Sequence, residues 1–182
     1  AGTVYYTWLK DAITKQDLGY TQIHEGEEVN VQTLMNTPEA YVQGISLVGK
    51  YEPIKQLYFE SSFNLQEGYD VSNNEPLGHI PPTYGKFLTR LKVKKFEGKI
   101  WWDYAFSKSL EDANETTDNT DLATEEGWPS WNTLNLSIAY KFHKGLKVQI
   151  ALENLMDQHY RTFASGLSAP GRNVIIKATY KF

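Results

Sequence analysis

The sequence of 182 residues contains no cysteine, no long apolar run and only a small excess of negative charge. The missing cysteines exclude a disulfide-stapled scaffold and a thiolate metal site. A membrane-spanning helix needs about 20 mostly apolar residues, so helical membrane proteins are excluded as well. A net charge of -4 gives no electrostatic reason to expect a nucleic-acid partner.

Aromatic residues, by contrast, are abundant, with 12 Tyr, 8 Phe and 5 Trp making up 14% of the chain. Aromatic rings fill the cores of soluble β-sandwiches and also form the interfacial girdles of transmembrane β-barrels. A barrel strand alternates apolar and polar side chains, so its average hydropathy resembles that of a soluble protein. The mean hydropathy of -0.49 therefore leaves both classes open.

Runs of about ten residues alternate apolar and polar side chains with a period of two, which is the spacing of a β-strand. Five of these runs are residues 56–65, 86–95, 99–109, 133–142 and 146–155. Each run has one apolar face, which in the last two includes Leu136, Ile138, Val148 and Ile150. The pattern predicts an all-β protein in which these side chains point outward to lipid and the polar side chains line an enclosed passage.

The connections between the predicted strands alternate in length. Strands at 3–14 and 29–51, the second with a bulge near 36–38, and a last strand within 171–182 complete a count of about eight. Short turns are predicted at 51–55, 96–99 and 142–145, and long polar loops at 17–28, 68–83, 110–129 and 158–171. An antiparallel up-and-down meander with every long loop at one end is typical of outer-membrane barrels.

The chain ends on an alternating strand, GRNVIIKATYKF, residues 171–182. Its apolar positions, counted back from the end, are Phe182, Tyr180, Ala178 and Ile176. This pattern resembles the signal by which the outer-membrane assembly machinery recognises its clients.

Residues 153–182 resemble the closing segment of TonB-dependent receptors, with Asn154, Leu155, Asp157 and Tyr160 followed by Pro-Gly-Arg at 170–172. Three further segments are similar to receptor segments and follow in the family's order: YYTWLKDAI, NTPEAYVQGISL and HIPPTYGKFLTRLK. The resemblance covers the whole chain.

The resemblance implies a transmembrane β-barrel of about 22 strands, of which residues 1–182 are the C-terminal portion, without the plug domain and the N-terminal strands. It also implies an outer-membrane receptor that takes up a scarce nutrient, such as a metal chelate of the siderophore type, a glycan or a vitamin. The expected partners are membrane lipid, the small-molecule ligand, the assembly machinery through the C-terminal strand, and the energy-transducing TonB complex through the missing plug alone.

Ligand would then be held between the outward loops and the upper passage, where we expect Tyr69, Trp128, Trp131, Tyr160 and Arg161. The four histidines, at 24, 79, 143 and 159, do not have metal-ligand spacing, and the acidic tract 111–121 lacks the spacing of a calcium loop. No nucleophile with its base and no phosphate-binding loop is present, so we expect neither an enzyme nor a cofactor.

Two other interpretations remain at this point. About eight strands can close on side chains alone, so the chain could be a self-contained outer-membrane anchor or adhesin. A soluble lipocalin-like barrel is the other, and its apolar face would point inward.

Overall fold

An antiparallel β-sheet dominates the computed structural model, which describes residues 1–142 and 145–181. The strands are β1 (Gly2–His24), β2 (Glu27–Ile54), β3 (Leu57–Asp70), β4 (Glu75–Pro76), β5 (Tyr84–Val93), β6 (Phe96–Ala105), β7 (Trp131–Lys141), β8 (Leu146–Glu153) and β9 (Asn173–Tyr180). Among these described residues there is no α-helix, and thus no helix with the length and hydropathy to cross a membrane.

The sheet is an up-and-down meander. Its order is β1, β2, β3, β5, β6, β7, β8, β9, and the two-residue β4 folds back onto β3. Eight long strands in chain order confirm the predicted architecture. Within the described part of the chain β1 and β9 share no ladder, so the sheet is open at both edges. The open sheet disfavours the self-contained eight-stranded barrel.

The two faces of the sheet have opposite chemistry. The ladders place Ile138, Ile150 and Ile176 in one row on the apolar face, where they are 55%, 49% and 70% exposed. On the polar face, Asn135 and Ser137 are buried, at 4% and 3% exposure. This inverted distribution agrees with the predicted outward apolar face and disfavours a lipocalin-like interior.

Aromatic rings gather near both ends of the apolar face. Toward the long loops, the rings of Tyr6 and Tyr41 stack with 5.7 Å between centroids, and Tyr69 lies beside Tyr41. Toward the short turns, the rings of Phe96 and Tyr140 are 4.6 Å apart. Such paired bands are typical of strands that meet two membrane interfaces.

Three local predictions were wrong. The bulge predicted near 36–38 is not found there, because the register runs unshifted from Lys10 opposite Glu39 to Ala12 opposite Thr37, and the shift lies between Asp17 and Thr21. Residues 17–28 form a two-stranded ribbon that turns at Glu25 and Gly26, because neither face of this ribbon is buried and polar side chains are therefore tolerated. The turn predicted at 96–99 lies at Lys94 and Lys95, since Lys94 takes the left-handed conformation with φ of 52°.

Two further predictions fall on residues that the structure does not describe. The turn predicted at 142–145 includes His143 and Lys144, and the assembly signal includes Phe182; these three residues lie outside the described residues. The rest of that signal is in β9, where Ile176, Ala178 and Tyr180 lie on the apolar face.

Candidate functional site

Two rows of side chains cross the polar face near the long loops. The ladders of β5, β6 and β7 align Tyr84, Ala105 and Trp131, and beside them Lys86, Asp103 and Thr133. Because Ala105 is small, the two aromatic rings beside it leave a depression between them. Short alternating strands thus place aromatic and charged groups side by side.

These rows form the floor of a cavity of about 510 Å³. Its walls include Pro82 from the loop before β5, and Tyr160 and Phe163 from the loop between β8 and β9. Tyr160 stacks on Trp131 with 4.4 Å between ring centroids and 29° between planes. Aromatic walls with a few polar groups are typical of small-molecule sites of this size.

An ion pair supplies the charge in the cavity. Lys86 Nζ lies 3.3 Å from Asp103 Oδ1, and Asn135 Nδ2 donates to Asp103 Oδ2 at 3.2 Å. The side chains of Lys86 and Asp103 are 41% and 31% exposed, so their attraction is weak, about 0–1 kcal/mol. Lys86 Nζ also lies 5.8 Å from the ring centroid of Trp101, and because both contacts are weak the ammonium can turn toward an anionic ligand group.

Tyr160 provides a hydrogen-bond donor beside the ion pair. Burial, and then the charges of Asp103 and Glu153, raise the pKa of the Tyr160 hydroxyl above its ordinary value. The hydroxyl therefore stays protonated at neutral pH and can donate to a ligand oxygen.

The residues of the Asn-Leu-x-Asp segment fold the loop that carries Tyr160. Asn154 Nδ2 donates to the carbonyl oxygens of Gln158 at 2.8 Å and Pro170 at 3.2 Å, which joins the two ends of the loop. Asp157 Oδ1 accepts the backbone N–H of Arg172 at 2.7 Å. These side chains position the cavity wall without lining it.

Asp118, a buried carboxylate, joins two of the long loops. Its side chain is fully buried, and Oδ1 accepts the backbone N–H of His79 at 2.6 Å. Oδ2 accepts the backbone N–H of Asn114 at 3.0 Å and lies 4.0 Å from Lys108 Nζ. One carboxylate of the acidic tract is therefore committed to internal contacts.

Lys108 extends this connection to the third long loop. It is 8% exposed, donates to the carbonyl oxygen of Ile80, and lies 4.4 Å from the ring centroid of Phe163. Burial lowers the pKa of Lys108, and the charge of Asp118 opposes that shift. The Lys108–Asp118 pair thus fixes Phe163, which is part of the cavity wall.

Two of the five predicted ligand residues, Trp131 and Tyr160, come together in the cavity. Trp128 is 4% exposed and packs edge-on against Phe163, with 4.8 Å between centroids. Its Nε1 has no hydrogen-bond partner among the residues that the structure describes. Trp128 therefore supports the wall from behind.

The other two predicted residues lie elsewhere. Arg161 Nη1 donates to the carbonyl oxygen of Leu122 at 2.7 Å, which links two loops at the exposed surface. Tyr69 belongs to the aromatic band on the apolar face and also lines a separate cavity of about 520 Å³.

The sequence prediction missed Tyr84, Lys86, Asp103 and Phe163. The alternation in 99–109 did place Asp103 opposite the apolar face, but only strand register brings it next to Lys86. No group of three or more His, Asp or Glu side chains that could hold a metal is found among residues 1–142 and 145–181.

Comparison with known proteins gives a consistent assignment. The family model described as "TonB dependent receptor-like, beta-barrel" matches residues 1–155. Heme/hemopexin utilization protein C of Haemophilus influenzae is 27% identical over 154 residues, which cover 81% of this chain and 20% of that protein. The chain thus spans about a fifth of this relative.

Solved structures share the fold at lower identity. A copper transporter superposes with a TM-score of 0.80 and 17% identity, over 100% of this chain and 27% of the transporter. A variant of the ferric enterobactin receptor of Pseudomonas aeruginosa gives a TM-score of 0.72 and 13% identity, over 100% and 28%. The ferric yersiniabactin uptake receptor of Yersinia pestis gives 0.63 and 14%, over 97% and 25%.

Proposed function

Because this chain belongs to the TonB-dependent receptor-like β-barrel family, we propose that residues 1–182 form the C-terminal portion of an outer-membrane receptor for a scarce nutrient. The remaining strands and the plug domain would close the barrel around the polar face. Two open sheet edges and an exposed apolar face support this arrangement. The family comprises transport receptors rather than enzymes, and we assign no catalytic step to this chain.

The ligand that the cavity fits best is a metal chelate of the siderophore type. The observation that supports this ligand is the stacked pair of Trp131 and Tyr160 beside the Lys86–Asp103 ion pair. Flat aromatic ligand groups would stack on the rings, and anionic oxygens would accept from Lys86 and the Tyr160 hydroxyl. Capture from outside would precede release by the plug, on which the inner-membrane energy complex acts.

Haem is a second candidate ligand. Its flat ring system and carboxylates would match the same stacked pair and Lys86, and the 27% identical relative is named for haem utilization. Both ligands require the same wall residues, so one experiment compares them.

The test uses the complete receptor that contains this chain, with Trp131→Leu as the variant and Trp102→Leu as the matched control. Trp102 lies on the apolar face and should leave binding unchanged. We expect Trp131→Leu to weaken equilibrium binding of a ferric catecholate chelate or of haemin about tenfold or more. Equal affinity in the two variants for both ligands would refute the assigned cavity.

A further inference from the structure

The end of the sheet opposite the long loops carries a positive charge. We define the short-turn rim as residues 52–56, 92–97, 141–142 and 181. Its charged residues are Lys55, Lys92, Lys94, Lys95, Lys141 and Lys181 against Glu52 and Glu97. The rim is therefore strongly basic.

The long loops carry the opposite charge. Loops 71–83, 106–130 and 154–172 together contain nine carboxylates and three lysine or arginine residues. The small net charge of -4 thus conceals a separation of charge along the strand direction. This separation assigns the two ends of the sheet to different environments.

Hydrogen bonds between neighbouring turns make the rim continuous. The backbone N–H of Lys92 donates to the carbonyl oxygen of Gln56 at 2.7 Å, and that of Lys141 donates to Lys95 at 2.9 Å. Neighbouring strands are about 4.8 Å apart, so successive turns lie roughly 10 Å from one another. This spacing lets the lysines of adjacent turns act on one charged surface.

The turn lysines are available for binding. Lys55, Lys94 and Lys95 are exposed, and among the described residues they form no ion pair with a carboxylate. Lysines further along the polar face are paired with carboxylates; for example, Lys147 Nζ lies 3.2 Å from Glu97 Oε1. Among the described residues, these three turn lysines therefore lack a carboxylate partner for their charge.

Apolar side chains accompany these lysines at the same turns. Ile54, Val93 and Phe96 are 56%, 46% and 57% exposed. They continue the apolar face to its end, so the lysines stand where a lipid-facing surface meets water. Exposed lysines beside aromatic and aliphatic groups match the chemistry of an anionic lipid headgroup region.

We propose that the short-turn rim binds anionic phospholipid headgroups in the leaflet that it faces. The proposal rests on the proposed function in one respect, that the apolar face is embedded in a membrane. A lysine near an anionic surface strengthens association about fivefold, so several lysines on one rim would enrich anionic lipid at this part of the barrel.

The test places the complete receptor in phosphatidylcholine vesicles that contain trace spin-labelled phosphatidylglycerol or spin-labelled phosphatidylcholine. Electron paramagnetic resonance measures the fraction of each label that the protein immobilises. The variant carries Lys55→Gln, Lys94→Gln and Lys95→Gln. The matched control removes three positive charges elsewhere, with Lys10→Gln, Lys15→Gln and Arg172→Gln.

We expect the native receptor to immobilise phosphatidylglycerol in preference to phosphatidylcholine, and we expect the rim variant to lose at least half of that preference. The control variant should keep it, and so should a rim variant with arginine in place of each of the three lysines. High salt should reduce the native preference, because headgroup attraction is screened.

Equal immobilisation of the two labels by the native receptor would overturn the proposal. So would an equal loss in the control variant, or lower uptake in the rim variant with unchanged lipid preference, which would mark the rim as a protein-binding surface. If neither label is immobilised, membrane embedding itself fails, and the proposed function fails with it. If both labels are immobilised to the same extent, the proposed lipid binding by the rim is rejected, and the proposed function is unaffected.

Discussion

Replacement of Asp118 by alanine should release the long loops from one another. The carboxylate accepts two backbone N–H groups, from His79 and Asn114, and it neutralises the buried ammonium of Lys108. Alanine removes both acceptors and leaves the ammonium without its counter-charge. The loops are tethered to a large sheet, so the loss should appear as local opening.

The size of the effect follows from these contacts. A buried donor that loses its acceptor costs about 1–3 kcal/mol, and removing one partner of a buried ion pair costs about 3–5 kcal/mol. These two costs are not additive, because both arise from the loss of the same Asp118 side chain. We therefore expect the free energy of loop opening to fall by about 3–5 kcal/mol, which is a factor of roughly 10² to 5 × 10³ in the opening equilibrium.

Hydrogen exchange measured by mass spectrometry on the complete receptor is the assay. Peptides from loops 71–83 and 106–130 should lose protection in Asp118→Ala, while peptides from β7 keep theirs. Asp121→Ala is the control, because Asp121 belongs to the same acidic tract and is exposed. It should exchange as the native protein does.

A second substitution separates the charge from the hydrogen bonds. Lys108→Met removes the buried ammonium and should destabilise the native loops, but it should restore part of the protection in the Asp118→Ala background. Unchanged exchange in Asp118→Ala would refute the reasoning. Equal effects of Lys108→Met in both backgrounds would show that the two residues are not coupled.

Three other predictions concern the sheet and the first long loop. Gly85→Ala should abolish the folded, heat-modifiable band on electrophoresis, because the Cβ of the new alanine would collide with a carbonyl oxygen of β3. Gly98→Ala is the control and should fold, because the space around Gly98 is open. Burial first, and then neighbouring carboxylates, raise the pKa of Glu75 above 4.5, so ionisation of Glu75 at neutral pH destabilises the folded loop. Glu75→Gln should therefore increase the exchange protection of residues 71–83 at neutral pH, and it should have no such effect below pH 4.5. Ile150→Lys, on the apolar face, should destabilise the receptor in bilayers by about 2–4 kcal/mol in urea titrations, and Gln149→Lys, on the polar face, by less than about 0.5 kcal/mol.

The alternation of side chains predicted which face each strand residue occupies, because the period of two is a property of the extended backbone. Ile138 and Ile150 lie on the expected face for this reason. Turn positions were less predictable. Lys94 adopts the left-handed backbone conformation at the turn, which is uncommon for residues other than Gly, Asn and Asp, whereas Gly98 lies inside strand β6.

Only two of the aromatic residues in the candidate site, Trp131 and Tyr160, were predicted from the sequence. Trp131 follows the predicted long loop 110–129, and Tyr160 lies within the predicted long loop 158–171. The ion pair of Lys86 with Asp103 depends on the register of two strands, which alternation does not determine. In the sequence Asp118 resembles the solvated acids around it, since both of its hydrogen-bond donors are backbone N–H groups, one of them 39 residues away.

The loop between β8 and β9 separates its framework from its binding surface. Asn154 and Asp157 satisfy backbone groups at the two ends of the loop and do not line the cavity of about 510 Å³, whereas Tyr160 and Phe163 line it. Because the framework contacts involve backbone atoms of their partners, the side chains at 160 and 163 can change without loss of the loop fold. We therefore expect ligand preference to follow residues 160–163, and exchange of that tetrapeptide between receptors should alter which chelate binds while the protection of the Asn154 backbone N–H stays constant.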